Sequence, residues 1–380
     1  MAASVYACGV PIARALCAQR ASTERHRWVV GTCSLHESNE LSVLDFDEDL
    51  NQLEAVALYA HPDQVWAVET SPKDAGLVVT SRQAQQQEQS SAVTLWRLPP
   101  QADASSGVGE KMDLVELSTI SSASSYAHSL KWHSTRDSLL VAEEGNIYCY
   151  SIAESKMTTV GKLSLPAAQS SSSGAAGNND DYGSGAVVWD PSAGSNNGAV
   201  VYGANAFVLD SSSMSVSIEI PNAHGGSTIR DVDFNPNKPQ VLLTCGNDRS
   251  VRFWDLRNTK APLKVLSGHS HWVSCCRYSP FHDQLLLTGG SDNILNLWRV
   301  SSCSSSPPVS ADADADDEDD AGGSSGEAAD IKVRALDTHE DSIYSAAWSA
   351  ADAWVFVSLS YDGRVVLNQV PSQEKYKILL

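Results

Sequence analysis

The sequence predicts an all-β fold, a seven-bladed WD-repeat β-propeller, and three observations carry that expectation. Short runs rich in β-branched and aromatic residues recur along the 380 residues, among them 28–32, 41–46, 65–68, 93–98, 147–152, 187–189, 201–202, 207–209, 241–244, 251–254, 285–288 and 294–300. Gly, Asn, Asp, Ser and Pro separate them, as turns separate strands. Helical periodicity is scarce. A register of polar residues repeats through the C-terminal half, which favours a propeller over a sandwich or a simple barrel.

That register starts from His224, His269 and His339, which are followed after 24, 23 and 23 residues by Asp248, Asp292 and Asp362. Thr244, Thr288 or Ser358 stands four residues before each Asp, and Trp254, Trp298 or Asn368 six residues after it. An aromatic residue and a turn come nine or ten residues after each His: Phe234-Asn235-Pro236, Tyr278-Ser279-Pro280 and Trp348-Ser349-Ala350. These are the marks of WD repeats. In such a repeat the His leads into the innermost strand, the hydroxyl residue lies on the second, the Asp in the turn after it and the Trp on the third. A relay from Trp N–H to hydroxyl, imidazole and carboxylate satisfies polar groups that burial would otherwise leave unpaired. His224, Thr244, Asp248 and Trp254 form one complete set, with Asp255 completing the Trp-Asp pair, and His269, Thr288, Asp292 and Trp298 form another. The last repeat keeps His339, Ser358 and Asp362 but has Asn368 in place of Trp, so its relay is expected to be shorter.

The N-terminal half holds weaker copies. His61, Ser71-Pro72, Thr80 and Trp96 match one repeat, stretched by the Gln-rich insertion 83–89. Trp132-His133, Glu144 and Tyr150 match another, with Glu at the Asp position. Trp189-Asp190-Pro191 and Leu209-Asp210 mark a fourth without the polar relay, and 28–32 and 41–46 read as two strands of the first, with 6–16 as its inner strand. The stretch 1–23 lacks acids and carries Arg14 and Arg20, which gives it a faint likeness to a transit peptide,. Arg14 interrupts the apolar stretch, against a secretory signal, and the inner-strand assignment gives these residues a structural role.

The whole chain, 1–380, is thus read as one propeller. The Ser/Gly/Asn-rich loop 168–184, the smaller 102–109 and the acidic Ser/Gly-rich insertion 301–330 before the last repeat are expected to be disordered, because they have little apolar surface to bury against the cost of ordering,. The last blade needs an outer strand from residues near 1–5 or from 376–380. The apolar Ile378-Leu379-Leu380 favours the tail, since an open edge invites aggregation,.

Composition narrows function. The formal net charge is −20, which repels phosphate backbones and anionic lipid,. Eight Cys without a CxxC spacing fit buried free thiols better than zinc or disulfides, and no apolar run approaches a membrane span,. The His/Ser/Asp sets resemble a hydrolase triad in type, but a constellation recurring in register is architecture rather than one active site. There is no phosphate loop; Gly225-Gly226 and Gly289-Gly290 fall in turns or strands. His269 and His271 offer too few ligands for a metal, and the run 312–320 lacks the ligand-and-Gly spacing of a calcium loop,. No enzyme activity, cofactor or metal is expected. The remaining candidates lie on the surface. Trp66, Arg230, Ser274 and Tyr344 share one position in the register, with Trp272 close by, and Trp, Tyr and Arg are the types enriched at binding hot spots,. Trp66 and Tyr344 serve either as binding residues or as packing between blades.

The segment from His224 onward resembles one family within the fold. It carries Arg230-Asp231-Val232-Asp233-Phe234-Asn235-Pro236-Asn237-Lys238, His269-Ser270-His271-Trp272-Val273 with His282-Asp283-Gln284-Leu285, His339-Glu340-Asp341-Ser342-Ile343-Tyr344, Ser358-Leu359-Ser360-Tyr361-Asp362-Gly363-Arg364, and the ending Lys375-Tyr376-Lys377-Ile378-Leu379-Leu380. Ala13-Arg14-Ala15-Leu16, Val30-Gly31-Thr32, Asp45-Phe46-Asp47 and Val65-Trp66 add to it, and 101–222 is the weakest part. Together these resemble the EARP- and GARP-interacting protein family. The resemblance implies a non-enzymatic adaptor, monomeric within a larger assembly, that binds subunits of the EARP and GARP vesicle-tethering complexes in endosomal recycling and retrograde transport. It implies a cytoplasmic protein recruited peripherally to the trans-Golgi network and recycling endosomes, with neither nucleic acid nor membrane insertion. Fold alone also permits a scaffold or substrate receptor of another machine, such as a ubiquitin ligase or a chromatin complex.

Overall fold

The computed structural model describes residues 4–10, 12–21, 24–83, 91–100, 111–121, 127–165, 185–192, 194–305 and 330–379. Seven sheets follow one another along the chain, each built outward from one inner strand. The inner strands are Ala13–Ala18, Gln64–Thr70, Ala127–Trp132, Ala186–Trp189, Ile229–Phe234, Val273–Tyr278 and Ile343–Trp348. Pairing within the blades is antiparallel. The first blade carries in addition Met112–Asp113, which lies parallel to its outer strand at Tyr59 and Ala60.

A sheet of this kind is apolar on both faces, so each blade must press against a neighbour on either side. The core accordingly divides into seven apolar clusters among the described residues, each shared by two consecutive blades. Trp28 and Val30 of the first blade pack with Val355 and Leu367 of the seventh, which closes the ring. Phe207 and Trp189 of the fourth meet Leu140 and Ile147 of the third, and Phe253 of the fifth meets Tyr278 and Trp298 of the sixth.

The ring closes differently from the expectation. The outer strand of the seventh blade is N-terminal: Ser4–Ala7 pairs antiparallel with Arg364–Gln369, Ser4 opposite Leu367 and Ala7 opposite Arg364. The tail instead forms a helix, Ser372–Leu379, after Pro371, whose carbonyl accepts from Glu374 N–H and Lys375 N–H. The helix buries part of that apolar surface by a different route, leaving Leu379 exposed. Ile378 packs on the cluster between the sixth and seventh blades, buried Glu374 pairs with Arg299 at 3.0 Å, and Lys375 lies over the Trp354 ring. The same strand corrects the reading of 6–16, which splits between two blades: Tyr6 belongs to the seventh and Ala13–Ala18 forms the inner strand of the first.

The loop expectations for 168–184 and 102–109 fall outside the described residues, as does 84–89 of the Gln-rich insertion. Of the acidic insertion 301–330, residues 306–329 lie outside the described residues, and its described ends are ordered, against the expectation. Residues 301–305 are packed, with Ser301, Cys303 and Ser304 buried, and Ser305 bonds the Asp283 carboxylate through N–H (2.6 Å) and Oγ (3.1 Å). Asp330, at its far end, binds Ser302 N–H and Lys264. All eight cysteines are free thiols. No described helix is long and apolar enough to cross a membrane.

Candidate functional site at the mouth of the central channel

The relays come first, because they fix the loops around the mouth. In the fifth blade Trp254 Nε1–H donates to Thr244 Oγ1 (2.9 Å), His224 Nε2 lies 2.8 Å from the same oxygen, and His224 Nδ1 lies 2.8 Å from Asp248. The sixth repeats this with Trp298, Thr288, His269 and Asp292 at 2.9, 2.8 and 3.0 Å. Each Asp sits in a turn whose next residue has positive φ, Arg249 (65°) or Asn293 (64°), with Gly363 (78°) at the equivalent place in the seventh blade. The relay carboxylates also accept backbone N–H groups, so hydrogen bonds to His224 and Ser250 hold the Asp248 pKa far below the usual carboxylate range despite the opposing effect of burial. The second blade keeps Trp96, Thr80 and His61, but His61 Nδ1 reaches the Asp63 backbone carbonyl at 2.7 Å in place of a carboxylate.

The seventh relay departs from expectation at its acidic end. His339 Nε2 meets Ser358 Oγ at 2.7 Å, but Nδ1 meets Ser360 Oγ at 2.8 Å, and Ser360 passes the contact on to Asp362. Without Trp at position 368 the chain of bonds loses its indole end and gains a hydroxyl at the other.

Six of the seven inner strands then do the same thing at their first turn of register. The pairing slips by one residue between Ala13 and Ala15, Val65 and Ala67, Ala127 and Ser129, Ile229 and Asp231, Val273 and Cys275, and Ile343 and Ser345. A bulge re-aims the extra side chain out of the alternating pattern. The bulged residues are Arg14, Trp66, His128, Arg230, Ser274 and Tyr344, and Gly185 precedes the unbulged inner strand of the fourth blade. All seven line one cavity of about 600 Å³ at the channel mouth.

The structure gathers Trp66, Arg230, Trp272 and Tyr344 around that mouth and adds Arg14 and His128. Arg14 lies between two rings, its Cζ 4.8 Å from the Trp66 centroid and 5.3 Å from that of Tyr344. Arg230 lies 5.2 Å from the Trp272 ring and donates from Nε to Asn247 Oδ1 at 2.7 Å. Trp272 and Tyr361, the latter stacked obliquely on Tyr344, are 44% and 42% exposed, so the aromatic surface continues onto the rim. Ser274 is different: its hydroxyl lies near the carbonyls of Gly289 and Ile343 and ties the sixth blade to the seventh. Burial pushes the pKa of His128 down to about 4, which leaves it neutral at pH 7.

Below the mouth the channel wall is charged but internally matched. Glu69 binds Lys131 and, at 3.6 Å, Arg20; Asp231 binds Arg277 and Cys276 N–H. Asp233 accepts from Tyr278 N–H at 2.9 Å, and burial raises its pKa to about 6. No group of three or more His, Cys, Asp or Glu among the described residues is arranged to hold a metal.

Arg14 and His128 were missed in the sequence because neither follows a relay His. A signal exists at the other end of the strand. Phe234, Tyr278, Trp348 and Trp132 each stand four residues beyond the mouth position, so counting back from Trp132 finds His128.

Seven blades, repeated Trp–hydroxyl–His–Asp relays and an axial mouth define a WD-repeat β-propeller. Residues 1–298 match the family model described as EIPR1 beta-propeller, and residues 331–367 match the WD domain, G-beta repeat. The protein belongs to the EIPR1 β-propeller family. It is 35% identical over 388 residues to the Homo sapiens EARP and GARP complex-interacting protein 1, covering 97% of this chain and 96% of that one. The Caenorhabditis elegans EARP-interacting protein 1 is 40% identical over 198 residues, about half of each chain (51% and 53%). The Arabidopsis thaliana WD repeat-containing protein DWA2 is 27% identical over 94% of both chains.

Proposed function

We propose that this protein is a non-enzymatic WD-repeat adaptor that binds the EARP and GARP vesicle-tethering complexes and supports endosomal recycling and retrograde transport to the trans-Golgi network. The observation that carries this reading is end-to-end similarity to a relative named for those complexes, at 35% identity across 97% of the chain. The mouth supplies the physical means: Trp66, Arg230, Trp272 and Tyr344, with Arg14, form a concave cluster of the residue types that dominate binding energy,. The partners are tethering-complex subunits, and the protein works as a single propeller inside a larger assembly, cytoplasmic and recruited peripherally to the trans-Golgi network and recycling endosomes.

Affinity purification of the tagged protein, followed by mass spectrometry, tests this. Enrichment of tethering-complex subunits is the expected result. Recovery of ubiquitin-ligase or chromatin subunits without them would overturn it.

A further inference from the structure

The chain carries a net charge of −20, yet its channel mouth concentrates two guanidiniums that no acid among the described residues neutralises. Arg14 lies against the faces of Trp66 and Tyr344, and Arg230 against Trp272 and the Asn247 amide oxygen. Among the described residues no carboxylate lies within ion-pair distance of either. The nearby acids on the wall are already occupied, Asp231 by Arg277 and Glu69 by Lys131. Elsewhere in the protein, partly buried arginines are paired: Arg82 with Asp63, Arg252 with Asp248 and Arg299 with Glu374.

Ring faces hold a guanidinium in place without using its edge. A guanidinium stacked between two aromatics keeps its fork of N–H donors free, and that fork matches a carboxylate with two parallel bonds. Arg14 is exposed at the mouth, and the neighbouring Arg230 charge repels its own,. An incoming anion relieves that repulsion. The cavity of about 600 Å³ admits one or two side chains, and its exposed rim of Trp272 and Tyr361 offers apolar surface to the residues flanking them. A bilayer would bring a broad anionic face against the whole acidic surface, whereas a single side chain enters the concave mouth alone, so the carboxylate is that of a polypeptide.

We propose that the mouth captures an acidic segment of a partner protein, with a Glu or Asp side chain entering between Arg14 and Arg230. This rests on the adaptor reading only for the identity of the partner; the recognition chemistry stands on the mouth itself. The charge of the whole surface opposes a nonspecific attraction of acidic chains, so any such binding is local to these two residues.

The test uses the full chain and two short fluorescent peptides, identical but for Glu in one and Gln in the other. Fluorescence anisotropy is expected to show the Glu peptide binding about tenfold or more tightly than the Gln peptide, weakening with salt. The double variant R14Q/R230Q should lose that preference, and R14K should recover only part of it, because an ammonium lacks the fork. Melting curves first establish that the variants are folded; should the double variant unfold, R14Q alone carries the comparison, since the Arg14 side chain is exposed. Equal binding of the two peptides, no binding of either, or a preference kept by folded R14Q/R230Q overturns the proposal. Capture of tethering-complex subunits by the same proteins separates the two readings. Undiminished capture by R14Q/R230Q removes the acidic-segment inference and leaves the adaptor. A Glu preference lost in the variant, with no capture by the unaltered protein, leaves the mouth chemistry and removes the adaptor.

Discussion

Ser360 stands between His339 and Asp362, its hydroxyl 2.8 Å from His339 Nδ1 and in contact with the Asp362 carboxylate. In the sixth blade no such residue intervenes, and Asp292 holds His269 directly while accepting from Ser270 N–H at 2.8 Å. The two carboxylates occupy the same place in the repeat and do unequal jobs.

The Asp292→Ala variant is therefore expected to lose about 1–3 kcal/mol, because it leaves His269 and a backbone N–H without their acceptor. Asp362→Ala should cost less, under about 1 kcal/mol, since His339 keeps Ser360,. Ser360→Ala should exceed Asp362→Ala. Thermal melts of the three variants check the order, and equal losses for the two Asp variants would contradict the arrangement.

This difference marks how much the sequence disclosed. The spacing from His to hydroxyl to Asp to Trp is local to one blade, within some 30 residues, so the fifth and sixth relays are legible. Whether Ser360 would intervene depends on a side-chain rotamer in a turn, which spacing does not encode. Closure was hidden for another reason. Ser4–Ala7 pairs with residues at the opposite end of the chain, and its four residues carry no signal that names a partner. The tail misled because Ile378-Leu379-Leu380 calls for burial, and a helix meets that demand at Ile378 as well as a strand does. The mouth was partly legible. Trp66, Arg230 and Tyr344 follow their His by five or six residues, while Arg14 and His128 have no relay His to count from.

Acidification should destabilise the protein below about pH 6.5. Burial pushes the pKa values of His61 and His339 down to about 4 in the folded state, against about 6.5 for an unfolded imidazole,. Between those values the unfolded chain binds protons that the native one refuses, so this contribution is whole above pH 6.5 and lost as pH falls toward 4. Asp248, with its pKa depressed, acts in the same direction at lower pH. Asp233 opposes them. Its raised pKa, about 6, gives a contribution present below the unfolded carboxylate value and lost as pH rises through 6,. Denaturant titrations from pH 7.5 to 4.5 should show a net fall in stability, and Asp233→Asn should gain on the unaltered protein by ~1 kcal/mol at the upper end relative to the lower. A flat profile would refute the burial of the relay histidines.

Removing residues 1–7 should harm the ring more than removing 372–380. The first deletion strips Ser4–Ala7 from the seventh blade and exposes the edge of Arg364–Gln369. The loss is ~3 kcal/mol, from a few ladder hydrogen bonds at about 1 kcal/mol each, with aggregation through the open edge. Deleting the helix removes the Glu374–Arg299 pair and the Ile378 contact but opens no strand. Melting curves and light scattering on both truncations decide the order.

The last prediction places the partner-binding surface. Trp66 and Tyr344 hold Arg14 from two sides, so the double variant Trp66→Ala/Tyr344→Ala removes two anchors and frees the guanidinium they position. Truncating a central aromatic at an interface commonly costs ~2 kcal/mol or more, about thirtyfold in affinity. The described residues that precede the acidic insertion lie at the other end of the channel. Residues 301–305 pack on Asp283 and Asn235, beside the turn residues Pro236 and Pro280 that line the opposite cavity of about 390 Å³. Deleting 306–329 should therefore leave capture of tethering-complex subunits nearly intact, while the aromatic double variant, shown folded by its melting curve, should lose most of it. Capture kept by the double variant and lost on the deletion would move the binding surface from the arginine-lined mouth to the acidic segment 306–329.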